Sequence, residues 1–276
     1  MMGSDLLALR ALAGTRRASI PVAGLARSTV LAYAFTILAP AGRAAGEVAR
    51  GAFLSRYLGA SGAAAMAAHM HGATMMANAL ACLVAFVAVA VTLGPTSTLG
   101  LFVLANVVFV SLVGAAIVAL ARSPKVGLWL AERAARFGIH IKEQSRAHDK
   151  PSVALGDLAR ATACIFGGRC IQAFEYGIVL IAVGGTTGVL QALTAHAVHL
   201  VGANLGDVVP GQMGVTEGSY TAFADALGFA GAPERALAIP LMVRICQLTL
   251  AVACMLFTTL VPDRRGEATA GGGATG

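Results

Sequence analysis

Glu217 stands in PGQMGVTEGSY, Pro210 to Tyr220, between two long apolar runs. An ionised carboxylate is costly in hydrocarbon and marks a functional site there. Two chemistries suit it. It contacts a polar headgroup, or an arginine that does so, or it caps the N-terminus of its own short helix, whose dipole favours negative charge. The two are compatible. Gly211 and Gly214 precede it. Their backbone N–H groups either meet a phosphate at the start of that helix or serve only a tight turn that needs φ > 0. A phosphate beside Glu217 also requires a cation. Arg244, deep in the next apolar run, comes first, and its structural alternative is an ion pair with Glu217 or Asp207. Arg169, Arg43 and Arg50 are the other candidates; for Arg43 and Arg50 the plainer reading is snorkelling to an interface. Glu47, in PAGRAAGE from Pro40 to Glu47, repeats the Glu217 arrangement. Glu175 follows Arg169 by six residues, about 240° around a helix, so each takes its partner from another element.

Other chemistry is thin. His196 and His199 share a helix face, but HxxH without further ligands is a weak metal signal. His69 and His71 do not share a face. Polar packing or an interface position is the reading for all four, and no metal, cofactor or catalytic residue is assigned. The five cysteines (82, 164, 170, 246 and 254) lie in apolar runs without CxxC spacing and read as small packing residues. Met66, Met70, Met75 and Met76 read as packing or lipid-facing residues, and Gly42 with Gly46 permits a close helix approach.

These residues need elements to hold them, and composition says which. Of 276 residues, 57% are apolar and only 12% charged, about half the usual share of roughly 25%. Mean hydropathy is +0.77. This is an all-α integral membrane protein. The net charge of +7 is clustered, with a basic stretch over 122–157 between apolar runs. Such a loop faces the cytoplasm. Without aromatic interleaving or a known motif it does not point to nucleic acid.

Pro40 ends an uncharged run (28–42) that is too short to span a bilayer, and a second short helix follows over 43–60. Full spans are expected at 73–93, 99–121, 152–183 and 236–261. A helix over 189–209 leads into the Pro210 break, and a short helix then runs to about Leu227. Residues 1–27 read as a basic cytoplasmic lead-in, interfacial in character, and 262–276 as a disordered tail. The positive-inside rule puts both termini in the cytoplasm and the uncharged turns at 94–98 and 184–188 outside. Parity then requires 28–60 to dip in from the cytoplasmic face and 189–230 from the opposite one. The two breaks superpose: each places Glu seven residues after Pro and Phe six after Glu (Phe53, Phe223), and Gly59 and Gly228 close the short helices. The expected architecture is a helical bundle with two re-entrant hairpins in an inverted repeat, a transporter signature.

PGQMGVTEGSYTAFADALG, with Ala236 and Arg244 after it, resembles the transmembrane flippase-like domain of the lysylphosphatidylglycerol synthase family. PAGRAAGEVARGAFLSRYLG resembles the family's first such segment. The resemblance covers about 28–261, with halves at 28–121 and 158–261. It implies extra spans ahead of the first motif, where 27 residues stand here, and an Arg after the first hairpin, where His69 and His71 stand instead. No aminoacyl-transferase domain follows, so lysine transfer is not implied. The resemblance implies a bacterial inner-membrane domain that binds and flips a phospholipid or other polar lipid and is not an enzyme. A homo-oligomer or a lipid-modifying enzyme is the further partner. The readings left open beside it are a non-catalytic partner of such an enzyme, a membrane enzyme acting on lipid-linked substrates, and a small-solute transporter. The headgroup-binding set is Glu47, Arg43, Arg50, Arg169, Glu175, Asp207, Gly211, Gly214, Glu217 and Arg244.

Overall fold

The structure, a computed structural model, describes residues 2–14, 19–39, 42–122, 153–186, 188–206 and 214–260. The basic loop beyond Arg122, the tail from Val261, Asp207, Pro210 and Gly211 lie outside them. Among the described residues every regular element is a helix.

α1 (Met2–Ala13) and α2 (Val22–Leu38) lead to the first break. Ala39 is extended (φ −86°, ψ 146°), as the residue before a proline prefers. α3 (Gly42–Leu93) restarts the helix and breaks once more at Gly59 (φ 72°, ψ 166°). This positive-φ, extended conformation is essentially confined to glycine and costs a residue with Cβ about 1–3 kcal/mol. The expected boundary at Gly59 is therefore present. The second arm of α3 starts well before residue 73, because the stretch from Ser61 to His71 is alanine-rich and favours helix.

α4 (Thr98–Arg122) returns across the bundle. α5 (Leu155–Ala182) opens the second half and α6 (Val189–Gly206) runs to the second break. α7 (Val215–Ala222) and a 3₁₀ turn (Asp225–Leu227) end at Gly228 in the left-handed conformation, φ 84°. α8 (Pro233–Leu260) starts on a proline, which needs no N–H in the first turn.

Among the described residues four helices are long and apolar enough to cross a membrane: α3, α4, α5 and α8. They carry the four expected spans. The protein is a multi-pass α-helical membrane protein. α4 and α8 keep most of their apolar surface outward, with Leu101, Phe109, Leu112, Ile245 and Phe257 exposed.

α1 departs from the interfacial lead-in. Leu9 and Ala8 are fully buried, Leu12 and Ala13 nearly so, and Arg10 is left outward. Its small side chains allow a close, antiparallel approach to α5: Gly14 abuts Asp157 and Gly168 abuts Ser4. α1 with α2 and both arms of α3 forms one core (Leu9, Leu25, Leu54, Met66), and with α5 and the second arm of α3 another (Ala11, Leu12, Met70, Ile165). The pairing crosses the halves. α2 packs against α8, and α6 packs against α3.

Candidate functional site

Both hairpins close on the same contact. A Cβ on Gly46 would lie 2.6 Å from the carbonyl oxygen of Ala32 and overlap the Thr36 hydroxyl; one on Gly202 would lie 3.0 Å from Thr216 Cα. Counting from Pro40 and Pro210, Ala32 and Gly202 hold equivalent places, and so do Gly46 and Thr216. Absence of a side chain at one position of each pair lets the two helices meet. Glu47 and Glu217 each follow that contact by one residue.

Glu217 caps its own helix and forms an ion pair with Arg244, the structural alternatives named for both residues. Its Oε2 accepts the Gly214 N–H at 2.9 Å, which satisfies a donor at the start of α7. Its Oε1 lies 3.2 Å from Arg244 Nη1 on α8. Gly214 sits at φ 82°, where glycine is favoured. Glu47 is neutralised differently, by Arg50 Nε at 3.2 Å on the same helix. Arg50 does not snorkel. Its side chain is 5% exposed, because α1 and α2 cover the first arm of α3 with Leu9 and Leu25.

Arg169 is buried in α5. Its Nε donates to Asn78 Oδ1 on α3 and its Nη1 to Gln172 Oε1, both at 2.8 Å. Both partners are neutral amides. Asp5 on α1 and Arg43 lie within electrostatic range of Arg169, and both also act on Glu47. Arg43, Glu47, Arg50 and Arg169 therefore form one neighbourhood, joined by Asp5. Glu217 and Arg244 form a separate ion pair. Glu175 is exposed on the outer face of α5 beside Ile171, Phe174 and Ile178, apart from both groups. Asp207 and Gly211 lie outside the described residues.

Several polar residues here were not among the candidates. Gln172 and Tyr176 follow the candidate Arg169 at i+3 and i+7, so the three line one face of α5. Tyr176 packs against His199 at 4.7 Å, His196 at 5.6 Å and Tyr220 at 6.4 Å between ring centroids. The Tyr220 hydroxyl donates to the Ala195 carbonyl. Among the described residues, the Tyr176 hydroxyl, His196 Nε2 and His199 Nδ1 have no hydrogen-bond partner. A second polar chain crosses three helices, with Asn204 donating to Asn106 at 3.2 Å and Asn106 to the Cys82 sulfur at 3.4 Å. The signal for both was legible: uncharged polar residues repeating at helical spacing inside apolar runs. No group of three metal-ligating side chains occurs among the described residues. An open cleft of about 330 Å³ lies away from all these charges, between Leu93, Leu99, Phe223 and Asp225.

A family model described as the lysylphosphatidylglycerol synthase TM region matches residues 4–254. The chain belongs to this family. The match starts inside α1, which agrees with α1 being packed into the bundle, and takes in both hairpins and most of α8. No curated protein and no solved structure matches the chain. As a lysylphosphatidylglycerol synthase transmembrane region, the chain is a membrane domain of a lipid-related family.

Proposed function

We propose that the chain binds a phospholipid or other polar lipid by its headgroup and carries it between leaflets, as a flippase rather than an enzyme. The observation that supports this most is the group Arg43, Glu47, Arg50 and Arg169 gathered inside a bundle of membrane-length helices. Ionisable groups kept at such depth line pathways for polar cargo. The matched hairpins add to it, because paired broken helices frame the substrate site of inverted-repeat transporters. On this reading the two hairpins enter from opposite faces of an inner membrane, with both chain termini cytoplasmic. The headgroup passes between them while the acyl chains stay in lipid. The Glu217–Arg244 pair bridges α7 and α8 and re-forms on each cycle; the α7 start, with Gly214 and Gly211, meets the headgroup from one side.

The test is a proteoliposome assay with fluorescent phospholipids of several headgroups, reading quenching by a reagent confined to one face. Movement above protein-free vesicles is the expected result. Folded, reconstituted protein that moves no headgroup class removes the reading.

A further inference from the structure

α5 carries a carboxylate on the face it turns outward. Glu175 is exposed among Ile171, Phe174 and Ile178, which are exposed too, and α5 is a membrane-length helix. Among the described residues Glu175 makes no hydrogen bond or ion pair. Ionisable groups at membrane depth pair with another group or mark a path for polar cargo. The surroundings of Glu175 are set by α1. Ser4 abuts Gly168 on α5, and Met2 Sδ lies 3.9 Å from Cys254 Sγ on α8, so the start of α1 is wedged between α5 and α8. Further along, these two helices come together, with Leu180 and Ile239 in one core and Gly184 beside Arg235. Seven residues along a helix return to within about 20° of the same face and rise about 10 Å. Glu175 follows Gly168 by seven, and Gln247 precedes Cys254 by seven. Both therefore lie between the head of α1 and the junction of α5 with α8, on the faces that flank the wedge. Gln247 also makes no hydrogen bond among the described residues. Tyr33 of α2, half-buried, lies within electrostatic range of Glu175, Cys246 and Cys254. From Gly168 to Leu180 the opening is about 18 Å high at 1.5 Å per residue. That is too short for a helix that crosses a hydrocarbon core of about 30 Å, and it is tall enough for a lipid headgroup.

We propose that the opening between α5 and α8, beyond the head of α1, is a lateral entrance for a lipid, where Glu175 and Gln247 accept hydrogen bonds from N–H or O–H donors of the headgroup while the acyl chains lie on Ile171, Phe174 and Ile178. This rests on the lipid-handling reading above and adds the place where a headgroup passes from bilayer to bundle. Arg244 stands one turn from Gln247 on α8. A carboxylate accepts hydrogen bonds about twice as strongly as a neutral oxygen, so a headgroup with donors is favoured over one without.

The experiment measures thermal unfolding of the full chain in detergent, titrated with dioctanoyl phosphatidylethanolamine, whose ammonium carries N–H groups, dioctanoyl phosphatidylglycerol, which carries hydroxyls, and dioctanoyl phosphatidylcholine, which has neither. The lipids with donors are expected to stabilise at concentrations about tenfold lower than phosphatidylcholine, the worth of one hydrogen bond to a charged acceptor. If one of the two alone does so, its donor, ammonium or hydroxyl, is the group recognised. Glu175→Leu and Gln247→Leu are each expected to remove most of that tenfold preference without lowering the unfolding temperature of the lipid-free protein, since neither side chain has a partner within the chain. In vesicles, a phospholipid with a photoactivatable diazirine on its headgroup is expected to attach near Glu175 on α5 and near Gln247 on α8. Equal effects of all three lipids, an unchanged preference in both variants, or attachment confined to other helices overturns the entrance. Loss of self-association in Glu175→Leu with the lipid preference intact assigns the carboxylate to a second copy of the chain and also overturns it. Movement in proteoliposomes at an unchanged rate in both variants removes the entrance and leaves translocation standing; a preference lost in the variants, with no movement by the unaltered chain, removes translocation and leaves the lipid site.

Discussion

Glu47 and Glu217 occupy equivalent places, yet each is neutralised in its own way. Arg50 sits one turn along the same helix, whereas Arg244 reaches Glu217 from another. The second pair therefore couples α7 to α8, and the first couples nothing beyond α3. Glu217→Gln keeps an acceptor for the Gly214 N–H and removes only the charge. It is expected to lower stability by less than about 1 kcal/mol, the usual worth of an acid at a helix N-terminus, while reducing lipid movement. Arg244→Ala leaves a carboxylate that is 16% exposed without its partner, a cost of roughly 1–3 kcal/mol, and also reduces movement. Thermal unfolding and the proteoliposome assay check both; full transport in both variants removes the pair from the mechanism. The Glu217–Arg244 contact was legible in the sequence because two opposite charges in adjacent apolar segments have few other partners. The partners of Arg169 were not, since neutral amides such as Asn78 and Gln172 carry no charge pattern to follow.

Helix pairs in this bundle are set by what is missing from a few side chains. Gly46 and Gly202 let α2 meet α3 and α6 meet α7 at equivalent heights. Gly46→Leu and Gly202→Leu are each expected to destabilise by about 1–3 kcal/mol through overpacking. Gly218→Ala, in α7 with open space around it, is expected to be neutral or to stabilise by about 0.5–1 kcal/mol. Equal tolerance at all three positions in thermal unfolding would separate the glycines from hairpin closure. The breaks themselves were readable from Pro40, Gly59 and Gly228, since these residues act on the local backbone. α1 was not readable as a packed element. Twelve residues interrupted by Arg10 resemble an interfacial segment until α5 is placed against them. Leu9, fully buried, tests this: Leu9→Ala is expected to cost about 2–5 kcal/mol in thermal unfolding, and a neutral result would return α1 to the interface.

At the scale of the molecule, the helices that lead into the two breaks pack on elements far away in the sequence: α2 on α8, α6 on α3. Single cysteines placed across 38–48 and 208–218 are expected to react with impermeant reagents from opposite faces, the first from the cytoplasm. Labelling of both from one face would end the inverted arrangement. The sequence by itself determined the membrane class, the four spans, the two breaks and the repeated carboxylates. Each follows from hydropathy or local backbone chemistry within a few tens of residues. Only the tertiary structure decided that Arg50 is covered rather than at an interface, that Glu175 faces outward, and that Arg169, Tyr176 and His199 share one neighbourhood. Burial and pairing depend on which helix stands next to which, and helices that are apolar on most sides do not encode that choice in their periodicity.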